Sequence, residues 1–345
     1  MTDVDAVSPA MAAFERAALG RVAATLCLTL GQETGLLPAL ATGPISASAL
    51  AERCSTDQRM TLEWCRCMVV AGLATYADGQ FAPADGYAEI VADDGAGSLA
   101  EIFAASVRRD ATLLDRQAEA VRTGRGIPHA AYEPVLSRAQ DRYSSRVLRR
   151  HLVPTLLGAV PEVVERLAAG CDLVELGCGG GTALRLLAEA FPRSRYWGIE
   201  LDPVAVRLAR DRVAGHDHVE IVERDAAELP PDAYDVVLAL DVVHDLGDPA
   251  GVLGVVRAAL RAGGMFVMCE TDATGDFAED AASVDPFAYF SSLAMCIPTS
   301  QAAGGPGLGS AWGRSGALPM LADAGFADVT VTSVETGHAV YACRR

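Results

Sequence analysis

The run Val174-Glu175-Leu176-Gly177-Cys178-Gly179-Gly180-Gly181-Thr182 sets an acid near the end of an apolar segment, then a cluster of glycines, then a helix-forming stretch. Glycines allow a tight bend and let a ligand approach bare backbone. The N-terminus of the helix that follows favours a carboxylate or a phosphate. Two cofactor chemistries compete for such a loop. A dinucleotide fingerprint would need its third glycine at position 182, where threonine stands. S-adenosylmethionine presents an ammonium, a carboxylate and a sulfonium in place of a pyrophosphate, and Glu175 suits that cationic end. Glu200 lies 23 residues after Gly177 and can accept hydrogen bonds from both hydroxyls of a ribose, which fits either cofactor. Asp225, in Glu223-Arg224-Asp225-Ala226, separates them, because an acid there can accept a hydrogen bond from an adenine amino group.

A candidate base stands in Asp241-Val242-Val243-His244-Asp245-Leu246-Gly247-Asp248, just past an apolar run. The ordinary histidine pKa suits proton removal near neutrality. Asp241 is placed to touch the cofactor near its sulfonium, and Asp245 to cap the next turn. His216 and His218 flank Asp217 in a loop; without a third ligand they read as an exposed turn, and no metal site is assigned. Tyr143 sits among charges in Asp-Arg-Tyr-Ser-Ser-Arg, as a pocket residue or part of a solvated helix face. Residues 271–316 form a long insertion with Phe287, Tyr289, Phe290, Met295, Cys296 and Trp312, expected to roof an acceptor pocket.

The elements that must position these residues follow from rhythm. From residue 171 strands and helices alternate: strands over 172–176, 196–200, 219–223, 234–240 and 265–269, with helices over 182–190, 203–213 and 249–261. Continuous apolar strands alternating with helices predict an α/β, Rossmann-like, doubly wound parallel sheet. Two last strands, 329–334 and 338–343, have too short a link to be parallel and predict a C-terminal antiparallel hairpin. Upstream, helices over 8–40, from 46 or 48 through 53, and over 57–71 precede a short hairpin turning at Asp78-Gly79, the pattern of a winged-helix domain. The expected domains are 1–95 (winged-helix, dimerisation), 96–168 (a helical linker covering the site, broken at prolines 128, 134, 154 and 161) and 169–345 (cofactor binding).

Composition bounds the function. With 51% apolar and 21% charged residues, the 345-residue chain can bury a large core and is not disordered. All 28 basic residues are arginine and there is no lysine, which excludes Schiff-base chemistry and a Walker-type phosphate loop. The net charge of −17 makes nucleic acid a poor partner, and the three arginines and three acids over residues 41–75 leave the would-be reading helix neutral. Asp3 and Asp5 argue against an export signal, and no apolar run reaches membrane-spanning length, so a cytoplasmic location is expected. The nine cysteines form no CxxC pair and read as free thiols, Cys65 and Cys67 among them as small buried hydrophobes.

On these motifs the chain resembles the class I S-adenosylmethionine-dependent methyltransferases over 171–345. With its winged-helix front it resembles small-molecule O-methyltransferases and an actinobacterial winged-helix methyltransferase family over nearly its whole length. The segments Met295-Cys296-Ile297-Pro298 and Gly307-Leu308-Gly309-Ser310-Ala311-Trp312-Gly313 carry the latter likeness. The resemblance implies S-adenosylmethionine as cofactor, with Glu175, Gly177, Gly179 and Gly181 lining its methionine end, Glu200 and Leu201 at the ribose, and Asp225 and Ala226 at adenine. It implies His244 as base or acceptor-orienting group, and Tyr143, Met295, Cys296 and Trp312 as candidate acceptor contacts. The expected protein is a homodimer, its apolar N-terminal helices paired, that O- or C-methylates a small molecule in secondary metabolism. Two alternatives stand beside it: an α-keto acid C-methyltransferase with a metal at His244, although metal-dependent relatives carry a histidine near Met295, and a winged-helix regulator that senses S-adenosylmethionine. A nicotinamide dehydrogenase fails on Thr182 and the terminal hairpin.

Overall fold

The computed structural model describes residues 9–92, 98–133 and 135–345; Asp3, Asp5, the expected boundary at 95 and the break at Pro134 lie outside them. The chain divides into two compact units, residues 1–111 and 112–345.

In the first unit, α1 (Pro9–Thr34), α2 (Leu36–Leu40), α3 (Ala47–Cys54) and α4 (Gln58–Val70) precede a hairpin of β1 (Ala74–Ala77) and β2 (Gln80–Pro83), then α5 (Tyr87–Val91). The expected single helix over 8–40 is two, because Gly35 turns left-handed at φ 74°. Gly31 continues α1 and packs on α4: a Cβ there would stand 2.6 Å from the Trp64 ring. Ser46 and Asp57 cap α3 and α4 by accepting from Ala49 N and Met60 N. Asp78 and Gly79 both take positive φ, as a two-residue hairpin turn of this hand requires. Leu37, Leu40, Leu50, Cys65 and Met68 are fully buried between these elements. Cys67, expected inside with Cys65, is exposed, because two residues along a helix turn a side chain to another face. Helix α6 (Leu99–Thr123) begins in this unit.

The second unit holds α7 (Val135–His151), α8 (Pro161–Ala169) and a seven-stranded sheet. Its strands are β3 (Asp172–Leu176), β4 (Arg195–Glu200), β5 (Val219–Glu223), β6 (Tyr234–Leu240), β7 (Leu260–Thr271), β8 (Asp328–Ser333) and β9 (His338–Arg344), in the order β5-β4-β3-β6-β7-β9-β8. The crossovers are α9 (Thr182–Ala190), α10 (Pro203–Arg212) and α11 (Pro249–Ala259). Strands β5 to β7 run parallel, and β9 enters antiparallel between β7 and β8, as the short link demands. β3 is apolar apart from Asp172 and Glu175 and buried throughout, because helices cover both faces of the sheet. Between β7 and β8 lie α12 (Phe277–Asp280), α13 (Pro286–Ser291), α14 (Ile297–Ala302) and α15 (Gly313–Asp323). The chain leaves β3 toward β4 on one side and β6 arrives on the other, so a crevice opens at their carboxyl ends. No described helix is long and apolar enough to cross a membrane.

Candidate active site

The glycine bend follows β3 into this crevice, and its glycines are there for different reasons. Gly177, Gly179 and Gly181 all take positive φ, at 57°, 51° and 75°. A Cβ on Gly177 would also meet Val242 at 2.7 Å, and one on Gly181 would press on Ala209 at 3.0 Å, whereas Gly179 faces open space. Glu175 is buried, and its Oε2 has no hydrogen-bond partner. Burial and the neighbouring Glu200 carboxylate push its pKa well above the ordinary range. Glu200 accepts from the backbone N–H of Gly179 at 2.9 Å, of Leu201 at 2.8 Å and of Asp202 at 2.9 Å. The acid expected at the ribose thus also ties the bend to the end of β4. Leu201 is 65% exposed at that edge. Asp225, exposed, caps the turn after β5 by accepting from Ala227 N at 2.8 Å, with Ala226 half-buried beside it.

His244 lies in a single 3-10 turn past β6 and is 4% exposed. Its Nδ1 is 2.5 Å from Glu270 Oε2, while Glu270 Oε1 accepts from Val243 N at 3.0 Å. That fixes the ring and leaves Nε2 facing Asp245 Oδ1, at 3.4 Å, and the Cys296 thiol. Burial alone would lower the imidazole pKa, but the Glu270 and Asp245 carboxylates outweigh it and hold it well above the ordinary value. Asp245 does not cap the next turn as the sequence suggested. Asp248, directly before Pro249, does so by accepting from Gly251 N at 2.9 Å. Asp241 takes a left-handed φ of 55°, and its carboxylate is held by His338 Nε2 at 3.0 Å.

Met295 and Cys296 end a turn over 292–296 that is buried except at Leu293. Tyr132 Oη at 2.8 Å and Gln117 Nε2 at 3.2 Å donate to Ala294 O and brace it against His244. Tyr143 is half-exposed, its hydroxyl pKa raised by burial and by Asp241 and Asp285 nearby. Trp312 is buried in the core under α15 with its indole N–H unpartnered. His216 and His218 pack edge to face, and neither belongs to a metal-competent cluster among the described residues. A His244 ring nitrogen, an Asp245 oxygen and Cys296 Sγ do lie within 4.8 Å of one another.

A family described as a methyltransferase domain matches residues 174–266, the span from the glycine bend through His244 to β7. The chain carries a class I methyltransferase domain. Trans-aconitate 2-methyltransferase of Paracidovorax citrulli is 31% identical over 113 residues, 33% of this chain and 42% of that protein. The chain spans only 31–42% of the length of the first three curated relatives it matches. Solved structures share the fold end to end. An O-methyltransferase family protein from Burkholderia thailandensis superposes with a TM-score of 0.73 at 18% identity, covering 99% of both chains. Human N-acetylserotonin methyltransferase, solved with S-adenosylmethionine, gives 0.75 at 17%, again over 99% of each chain.

Just beyond the matched span, the sequence carried a residue that went unread: Glu270, the carboxylate that orients His244. The signal was available: in Val267-Met268-Cys269-Glu270-Thr271 an acid interrupts an apolar strand one residue from its end, as Glu175 does in β3. His338, 97 residues from Asp241, also went unread, and the sequence carries no signal for it.

Proposed function

We propose that the protein is an S-adenosylmethionine-dependent O-methyltransferase of small molecules, cytoplasmic and homodimeric, serving biosynthesis. The observation that carries this reading is the buried His244–Glu270 pair at the same sheet edge as the glycine bend. The bend suits the cofactor on chemical grounds. Glu175 offers a buried, unpartnered carboxylate oxygen to a cation, and a second carboxylate beside it would repel a pyrophosphate. Glu175 and Gly177, Gly179 and Gly181 would hold the methionine end, Glu200 and Leu201 the ribose, and Asp225 and Ala226 the adenine, with Asp241 toward the sulfonium. When bound, this cofactor supplies an activated methyl group on a positively charged sulfur. Against the effect of burial, the Glu270 and Asp245 carboxylates raise the imidazole pKa above the ordinary value expected from sequence, so the base is the neutral fraction of His244. Its Nε2 takes the proton of the acceptor hydroxyl, Glu270 stabilises the imidazolium so formed, and turnover should rise with pH toward that raised pKa. Tyr143, Met295, Cys296 and Trp312 would wall the acceptor. The structural relatives that bear O-methyltransferase names support the choice of oxygen. Tritium transfer from methyl-labelled cofactor to a panel of phenols tests it; a folded, cofactor-binding protein that labels none of them but labels carbon acids would overturn O-methylation.

The homodimer rests on α1, which exposes Leu19, Val22, Leu26 and Leu30 on one stripe, with Met11 and Phe14 before them. Light scattering should give about twice the 36.0 kDa chain mass. A mass of one chain contradicts the dimer.

A second reading is favoured by the His244–Asp245–Cys296 cluster: a borderline metal such as zinc or iron would suit a nitrogen, an oxygen and a sulfur donor. The protein would then be an α-keto acid C-methyltransferase with a metal at His244. The leading reading predicts that exhaustive chelation leaves turnover unchanged. Loss on chelation with recovery on adding zinc or iron would favour the second.

A further inference from the structure

The third residue of the glycine run, Gly180, has no conformational reason to be glycine, since its φ is not positive as those of its neighbours are. A Cβ at this position would land on the Asp141 carboxylate and stand 2.7 Å from Arg212 Nη1. What occupies the space is an ion pair. Arg212, from the last turn of α10, meets Asp141 of α7 with both terminal guanidinium nitrogens; Nη2 to Oδ2 is 2.7 Å. The same Nη1, whose two hydrogens are shared with Asp141 Oδ1, also lies 2.5 Å from Gly180 O and 2.7 Å from Thr182 Oγ1. One turn along α7, on the same face as Asp141, Ser145 Oγ lies 2.5 Å from Thr182 Oγ1 and is wholly buried. The side chains of Asp141 and Arg212 are 12% and 20% exposed, so solvent screens the pair little.

The guanidinium therefore joins three segments: α7, the end of α10, and the bend that opens into the crevice. A planar fork with five donors can bridge a carboxylate, a carbonyl and a hydroxyl at once; an ammonium could not hold the same geometry. The bend needs such an anchor. Glycines at 177, 179, 180 and 181 leave it little intrinsic stiffness, and without outside constraint it would sample many shapes.

We propose that Asp141 and Arg212 are positioning residues for the cofactor: clamped through Gly180 and Thr182, the 177–182 bend is held in the shape that binds S-adenosylmethionine. This rests on the cofactor assignment above. It gives the Asp-Arg-Tyr-Ser-Ser-Arg run a role: Asp141 and Ser145 act on the bend from outside the cofactor pocket. It also divides the glycine run, with 177, 179 and 181 serving backbone shape and 180 serving the clamp.

The test is a double-mutant cycle read by calorimetry with S-adenosylhomocysteine, alongside thermal unfolding. Asp141→Ala and Gly180→Ala should each weaken binding about 10- to 100-fold, by letting the bend shift. In the Asp141→Ala background the carboxylate is gone and the released end of the flexible Arg212 side chain can swing aside from the added methyl of Gly180→Ala, so the second change should cost less than about twofold. Arg212→Lys, which keeps the charge and loses the fork, should bind more weakly than wild type but more tightly than Arg212→Ala. Additive losses, or Asp141→Ala binding like wild type, would overturn the clamp. If Asp141→Ala does not fold, Asp141→Asn, which keeps shape without charge, is judged by its own loss alone: weakened binding supports the clamp, and binding like wild type overturns it. If wild type itself binds no S-adenosylhomocysteine, the cofactor assignment fails. The clamp is then judged by amide hydrogen exchange over 177–182: slow in wild type and fast in the variant supports it, and equal rates refute it.

Discussion

His244→Ala should lower kcat by roughly 10²- to 10⁴-fold while the affinity for S-adenosylhomocysteine stays within about twofold of wild type. The imidazole is buried past β6, and the acids and glycines assigned to the cofactor make no hydrogen bond to it. Its removal therefore takes away the proton acceptor and spares the cofactor's partners. Glu270→Gln separates orientation from charge. The amide keeps the size of the carboxyl but cannot stabilise an imidazolium, and its NH2 can reverse the hydrogen bond to Nδ1 and place the proton on the wrong nitrogen. A loss in kcat of at least about tenfold is expected, again with cofactor affinity held. Steady-state kinetics with calorimetry on the same preparations checks both. Unchanged turnover in His244→Ala would remove this residue from the chemistry.

The second large effect concerns Glu175. A carboxyl buried with one oxygen unpartnered weakens the cofactor-free fold and becomes useful only when a cation arrives. Glu175→Gln should weaken S-adenosylmethionine binding about a hundredfold and raise the unfolding temperature of the cofactor-free protein. The pH dependence has a definite sign. Burial, then Glu200, raises the folded pKa well above the ordinary value of 4.5. Above that ordinary value the unfolded chain has lost the proton that the fold retains, so this group's contribution to stability falls as pH rises toward the folded pKa. An ammonium bound beside it favours the ionised carboxylate and expels the proton. Cofactor affinity should therefore climb with pH until the raised pKa is passed. Titrations in two buffers of different ionisation enthalpy should show proton release in wild type and little in Glu175→Gln. Equal release in both would mean that Glu175 does not meet the cation.

Much of this site is legible in the sequence because buried parallel strands leave continuous apolar runs, in which any acid stands out. The limits of β3, α9, β5 and β6 match the expected ranges, and Glu175 and His244 stand where strand and turn signals place them. Legibility fails where a residue's role depends on a distant element. Gly180 looks like one more cofactor glycine until α7, some 40 positions earlier, brings Asp141 against it. The rhythm reads as one helix over 8–40, but it breaks at Gly35, while Gly31 stays helical as a packing site for Trp64. Asp245 is expected to cap the next turn, yet Asp248 does so. The one before proline is the cap, because proline starts a helix readily, and the other is free to face His244. Met295 and Cys296 sit in a turn whose carbonyl is gripped by Gln117 and Tyr132, more than 160 residues away in sequence.

Isothermal titration of the folded wild-type chain with S-adenosylhomocysteine probes the pocket most directly. One equivalent bound per chain, lost in Glu200→Ala, is the predicted outcome. Absence of heat at every temperature tried, from a sample whose circular dichroism and melting curve show an intact fold, would contradict the cofactor assignment at its root.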